Sequence, residues 1–216
     1  VGHPLLDDTA ESKIDINQIF DKNKAVISIF PGSRASEINI LMPILLEFID
    51  LMNHNYEDFI FVFHATKQYY NLVQNHLKSK NFDNCEIISD EKIKHHTLKK
   101  SVFAVAKSGT ISLEICKLKI PSIILYKMNF LNYLIVKSLV KVRFANIINI
   151  AANKEIIPEL LQSNCNSKNL FKNVSTFIDD PKKIKDQVEK TQIILNKFKL
   201  NTSSSILASK ALSKFL

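Results

Sequence analysis

Five short apolar runs recur along the chain: AVISIF (25–30), DFIFVFHA (58–65), CEIIS (85–89), SVFAVA (101–106) and PSIILY (121–126). Each is followed by a stretch with helical periodicity, and no other feature restricts the fold as much. Buried strands of this kind, alternating with helices, belong to a parallel sheet covered on both faces. The expected class is therefore α/β, a Rossmann-like parallel sheet with helices on both faces and a helical C-terminal tail. Predicted helices cover 36–52, with Ser36 as N-cap and Pro43 kinking the helix without ending it, then 67–79, 91–99, 111–118 and 129–141. A short strand is expected at 144–149. From Glu155 onward only helices are expected, over 155–162, 168–178, 181–197 and 203–215, the last preceded by a hinge in LNTSSS (200–205).

In an open parallel sheet, ligands bind beyond the carboxyl ends of the strands. Two strand-to-helix corners carry suitable chemistry, PGSR (31–34) and KSGT (107–110). At the first, Gly32 permits close backbone approach, the following helix presents unsatisfied N–H groups, and Arg34 adds a planar fork for phosphate oxygens. At the second, Ser108, Gly109 and Thr110 offer hydroxyls and bare backbone, with Glu114 one turn further on, where a carboxylate can accept bonds from a ribose diol. Taken singly, either corner is also an ordinary tight turn.

Composition strengthens the case for a ligand. The chain has only three glycines in 216 residues, and two of them sit at these corners; of its 29 basic residues only Arg34 and Arg143 are arginine. Where lysine dominates so strongly, an arginine marks a place that needs a bidentate grip. The net charge of +8 points to an anionic partner, although a solvated lysine surface gives the same number. Neither G-x-G-x-x-G nor a Walker lysine motif occurs, which argues against NAD binding and P-loop hydrolysis. Basic residues do not cluster with aromatic ones, so no nucleic-acid partner is expected. Cys85, Cys116 and Cys165 have no ligand spacing and read as reduced structural thiols. No run approaches the ~20 apolar residues of a transmembrane helix, and there is no signal-peptide pattern.

In their order and spacing, VGHPLLD (1–7), PGSRASEI (31–38), SGTISLE (108–114) and NIAANKEIIPELLQ (149–162) resemble bacterial lipid-A-disaccharide synthase, as does the linking stretch 126–144. The resemblance covers the second half of that family's usual length, and a chain opening on VGHP reads as the latter part of something longer. It implies the C-terminal half of a GT-B glycosyltransferase. The reaction implied is transfer of 2,3-diacylglucosamine from its UDP derivative to 2,3-diacylglucosamine 1-phosphate, with inversion, giving a lipid A disaccharide phosphate and UDP. Residues 1–199 would be the donor-binding domain, and 200–216 a helix crossing to an N-terminal acceptor domain, in cis or on a separate chain, which supplies the base.

By motif, Gly32, Ser33 and Arg34 would meet the diphosphate, Ser108, Gly109 and Thr110 would cradle phosphate, and Glu114 would hold the ribose. Asn149 would lie near the donor, and Glu159 and Gln162 would face its sugar. No metal and no cofactor are implied. The chain departs from the family pattern at Ile148, where a proline is usual, and at Asn153-Lys154, where Gly-Arg is common. The family acts at the cytoplasmic surface of the inner membrane of Gram-negative bacteria, and Lys137 and Lys141, four apart on an apolar helix, would face that membrane. Two other readings remain open: a split or decaying fragment that only binds UDP, and another UDP-sugar enzyme such as a UDP-GlcNAc 2-epimerase.

The histidines carry weaker signals. His95-His96 reads as a surface pair, because adjacent helical residues point apart. His3 is expected to structure a linker. His64 reads as a satisfied strand-end residue, with a place at the cleft edge as the alternative.

Overall fold

The computed structural model describes residues 23–129, 143–198, 209 and 213. The VGHPLLD motif, His3, the predicted helix at 129–141 with Lys137 and Lys141, the 200–205 hinge and the final predicted helix lie outside these residues, apart from Asn129 and the isolated positions Ser209 and Ser213.

The sheet is organised around β1 (Ala25–Phe30), which pairs in parallel with β2 (Phe59–His64) on one side and β4 (Ser101–Lys107) on the other. Adding β3 (Cys85–Ile88), β5 (Ser122–Tyr126) and β6 (Glu159–Leu161) gives six parallel strands in the order β3-β2-β1-β4-β5-β6. The chain builds outward from β1 to β3, then returns to the other flank of β1. That reversal makes the gap between β1 and β4 the topological switch point of the sheet.

The connecting helices are α1 (Ala35–Asn55), α2 (Tyr70–Lys78, entered through a 3-10 turn at Lys67–Tyr69), α3 (Glu91–Lys100), α4 (Ile111–Lys117) and α5 (Ile147–Ala152); α6 (Ser167–Ile178) and α7 (Pro181–Phe198) follow β6. Alternation along each strand sorts the core into two layers. Ile27, Ile29, Phe61, Phe63, Phe103, Val105, Ile123 and Leu125 face a core shared with α1 and α6. Ala104, Ala106 and Ile124 face the opposite side with Leu98, Leu113, Ile115 and Leu195, while Val26, Ile60 and Val62 extend that face toward Ile88 and Ile93. α1 buries Ile38, Leu41, Leu45, Phe48, Ile49 and Met52, one stripe at helical spacing, and it runs on through the exposed Pro43.

Three expectations are corrected. Ser36 is not the cap of α1; the N-cap is Arg34, in an extended conformation and without a side-chain cap bond. The short strand expected at 144–149 does not form: Asn146 caps α5 by accepting from Ile148 N at 2.8 Å, and Asn153 closes it in the left-handed region at φ 49°. The expected helix at 155–162 is instead the edge strand β6, paired Ile124 to Glu159 and Tyr126 to Leu161, followed by a 3-10 turn at Gln162–Asn164. Pro158 precedes that strand and Gln162 has φ 49°, two constraints that suit a short edge strand better than a helix.

Candidate functional site

The two corners expected to bind phosphate begin on neighbouring strands. Phe30 and Ala106 are register partners, so PGSR and KSGT leave the sheet side by side at the switch point. Both line one cleft of about 480 Å³, closed on its other side by Ser89, Asp90, Glu91 and Lys94 at the start of α3 and by Glu114 on α4. Seven predicted residues meet there: Gly32, Ser33, Arg34, Ser108, Gly109, Thr110 and Glu114.

At the first corner Gly32 has φ 130°, which L side chains rarely adopt. A Cβ there would stand 2.7 Å from Glu37 Cβ and 2.9 Å from Glu37 Oε2. The space belongs to Glu37, whose Oε2 accepts from Ser33 N at 3.0 Å and whose Oε1 lies 2.8 Å from Lys107 Nζ and 3.8 Å from Arg34 Nη1. Burial raises the Glu37 pKa, but the Lys107 hydrogen bond, the Ser33 N–H and the charges of Lys107 and Arg34 outweigh it and hold the carboxyl below its ordinary value. Arg34 itself extends into solvent, its side chain 77% exposed.

The second corner is held differently. Ser108 N donates to Leu125 O at 3.1 Å and Ser108 Oγ to Ala145 O at 2.8 Å, so both of its donors are used within the protein. Gly109 has an ordinary backbone, and a Cβ there would find no neighbour nearer than Lys107 O at 4.0 Å. Among the described residues nothing requires a glycine at 109.

At the far end of the cleft, Glu114 lies 3.5 Å from Lys94 Nζ and 3.8 Å from His95 Nδ1. His95 is thus half-buried and turned toward the cleft wall, unlike the surface residue the sequence suggests. Asp90 caps α3, its Oδ1 accepting from Lys92 N and Ile93 N, and these bonds, chiefly that from Ile93, hold its pKa low.

His64 is buried on the cleft wall with its ring stacked on Phe30 at 4.3 Å. Its Nε2 lies 2.8 Å from Ser28 Oγ, which lies 2.7 Å from Ser101 Oγ, and Ser101 Oγ donates to Thr97 O at 3.0 Å. A carbonyl only accepts, so the bonds run one way: His64 Nε2–H to Ser28, Ser28 to Ser101, Ser101 to Thr97. Burial, helped by the charge of Lys94, pushes the His64 pKa down to about 3, leaving a neutral imidazole. Nδ1 is then an acceptor, buried and unpartnered among the described residues. Each of the two sequence readings of His64 is half of what the structure has.

Asn149, Glu159 and Gln162 do not line the cleft. Asn149 is fully buried; its Nδ2 donates to Ile157 O and Glu159 Oε1, both at 2.7 Å, and its Oδ1 accepts from Ile156 N and Ile157 N. Glu159 also accepts from Ala145 N at 2.7 Å and Asn146 N at 3.0 Å. Because Ala145 O receives the Ser108 hydroxyl, this knot fixes the second corner from behind. Gln162 Oε1 accepts from Met128 N at 3.3 Å, and its Nε2 is buried without a partner among the described residues.

The sequence reading missed Glu37 and Lys107 as site residues. Glu37 has the helix-start position of any dipole-complementing acid, and Lys107 is one of many lysines; only the β1–β4 register joins them.

Among the described residues no helix is long and apolar enough to cross a membrane. The fold resembles the C-terminal domain of a group 1 family glycosyl transferase from Francisella tularensis, with TM-score 0.54 and 15% identity over 87% of this chain and 93% of that one. It also resembles the UDP-GlcNAc 2-epimerase from Neisseria meningitidis bound to UDP-GlcNAc, with TM-score 0.58 and 16% identity over 85% of this chain and 47% of that one. By sequence, the chain is 34% identical over 213 residues to the lipid-A-disaccharide synthase of Sulfurihydrogenibium sp. (strain YO3AOP1), covering 90% of this chain and 53% of the relative. The chain spans about half the length of the curated relatives it matches. The model of the lipid-A-disaccharide synthetase family matches residues 1–212, and the chain belongs to that family.

Proposed function

We propose that the chain is the donor-binding half of a lipid-A-disaccharide synthase. It holds UDP-2,3-diacylglucosamine while the 6-hydroxyl of 2,3-diacylglucosamine 1-phosphate attacks the anomeric carbon. The C–O bond to the diphosphate breaks, its electron pair leaves on UDP, and the hydroxyl proton passes to a base on the N-terminal acceptor domain, in cis or on a second chain. The observation that carries this reading is the convergence of two phosphate-type corners at one switch point, with Arg34 and Lys107 beside them. Fixed cations and backbone dipoles at that point stabilise the charge that grows on UDP as the bond breaks.

Gly109 supports the same reading. With no reason for a glycine among the described residues, the bare backbone suits close approach by a ligand oxygen. The epimerase of similar fold is bound to UDP-GlcNAc, a nucleotide sugar of the same chemical class as the proposed donor. Acylated substrates are membrane lipids, and the cytoplasmic face of the inner membrane is the site of action this reading proposes.

Calorimetric titration of the chain with UDP, with and without Mg²⁺, tests the donor site. Saturable, metal-independent binding that weakens in Arg34→Ala and Glu114→Ala is expected. A folded chain that ignores UDP overturns the proposal. Release of UDP on adding the acylated acceptor, once the acceptor domain is supplied, separates transfer from epimerisation.

A further inference from the structure

The two ends of the cleft differ in charge. At the β1–β4 end, Arg34 and Lys107 face the single carboxylate of Glu37. At the α3–α4 end, Lys94 is shared between Glu91 and Glu114. An anionic group is favoured at the first end and disfavoured at the second, which suits hydroxyl donors such as a ribose.

Within the favourable end the two cations are not equivalent. Arg34 is 77% exposed and stands 3.8 Å from Glu37, whereas Lys107 is 21% exposed and stands 2.8 Å from the same oxygen. The Lys107 ammonium also lies 5.3 Å from the centre of the Tyr126 ring, within cation–π range. As the last residue of β4, Lys107 springs from the strand that pairs with β1, so its ammonium crosses the gap between the two corners to reach Glu37 on α1. Glu37 keeps its place only because position 32 has no side chain. A glycine in a conformation closed to other residues, a carboxylate in its space and a lysine held by that carboxylate form one assembly in the cleft. An ammonium carries three donors, so one carboxylate bond leaves it able to take more.

Resting on the nucleotide-binding reading, we infer that Lys107 is the inner anion ligand of the cleft: its ammonium, positioned by Glu37, binds the diphosphate of the nucleotide between the two corners, and Arg34 closes over it from solvent. Glu37 is a positioning residue and does not touch the ligand. The assignment makes the diphosphate the group on which Lys107 acts, so its effect grows from uridine to UMP to UDP.

The test compares wild type with Lys107→Gln and Lys107→Arg, by calorimetry or NMR titration with uridine, UMP, UDP and inorganic pyrophosphate, with circular dichroism confirming the fold. Loss of a charged hydrogen bond should weaken UDP about ten- to a hundredfold in Lys107→Gln. Pyrophosphate should weaken in parallel, uridine should be unchanged, and Lys107→Arg should retain most of the affinity. Equal UDP affinity in wild type and Lys107→Gln overturns the inference while leaving the nucleotide reading intact. Equal loss for uridine and UDP in a folded variant overturns it too, because Lys107 would then only shape the cleft. A folded wild-type chain that binds neither UDP nor pyrophosphate overturns both proposals, whereas binding of pyrophosphate alone, lost in Lys107→Gln, overturns the nucleotide reading and supports the lysine.

Discussion

Gly32 and Glu37 share one volume: a β-carbon on the first would stand 2.7 Å from the β-carbon of the second. Gly32→Ala therefore meets two penalties, a backbone at φ 130° and a collision with an anchored side chain. Such strain costs about 1–3 kcal/mol before the collision is counted. Urea unfolding should show at least that loss, and the displaced carboxylate should release Lys107, so UDP affinity should fall as well.

Gly109→Ala should behave in the opposite manner. The backbone is unstrained and the space is open, so the fold should be unaffected or gain about 0.4–1 kcal/mol from a stiffer unfolded chain. UDP affinity should nevertheless fall, because the added methyl occupies the ligand's approach. Unchanged unfolding with reduced UDP binding is the expected pair; unchanged binding would show that this glycine serves no ligand.

His64 should give stability a pH dependence of definite sign. Its folded pKa of about 3 lies below its ordinary 6.5, so below pH 6.5 the unfolded chain binds the proton more readily. The stabilisation is complete above 6.5 and is lost progressively as pH falls toward 3. The loss is on the order of 2 kcal/mol at pH 5. Glu37 and Asp90, lowered from 4.5 and 3.8, add losses of the same sign that become substantial only near and below those values, so the histidine dominates from 6.5 to about 5.5. Denaturant titrations of wild type and His64→Gln should show a slope in the first that is reduced in the second.

Asn149→Ala should rank among the most destabilising polar substitutions. It strips partners from Ile156 N, Ile157 N, Ile157 O and the Glu159 carboxylate at once. Each buried group left without a partner costs about 1–3 kcal/mol. Asn149→Asp should be no better, since it sets a second carboxylate where Nδ2 lay 2.7 Å from Glu159. Urea midpoints of the two variants check both statements.

How much was legible in the chain depended on how local the cause was. β1, β2, β4 and β5 announce themselves because each is a largely apolar run, most of it buried on both faces. IINIAA at 147–152 misleads, because its isoleucines favour a strand; the Asn146 cap and the bonds of Asn149 make it a helix, and neither is visible as periodicity. β6 has only three residues, too short for a pattern, and exists because β5 offers it an edge. The corners could be read because glycine and arginine are rare here. The Glu37–Lys107 pair could not, since it joins positions seventy residues apart through a strand pairing that the chain does not spell out. Asn149 and Glu159 were noticed as a motif, but their hydrogen bonds place them behind the cleft.

The Ser108–Ala145–Glu159 linkage also imposes an order in time. Ser108 is steadied by a carbonyl thirty-seven residues later, and that carbonyl's loop hangs from a carboxylate fourteen residues later still. Contacts at such separation form after local helices, because closing the loops costs chain entropy first. The first corner, whose Gly32, Ser33 and Glu37 lie within six residues of chain, can take shape with α1 alone, while the second must wait until β6 has docked. Pulse-labelled hydrogen exchange during refolding should therefore protect Ser33 N before Ala145 N and Asn146 N, and simultaneous protection would show that the cleft closes in one step.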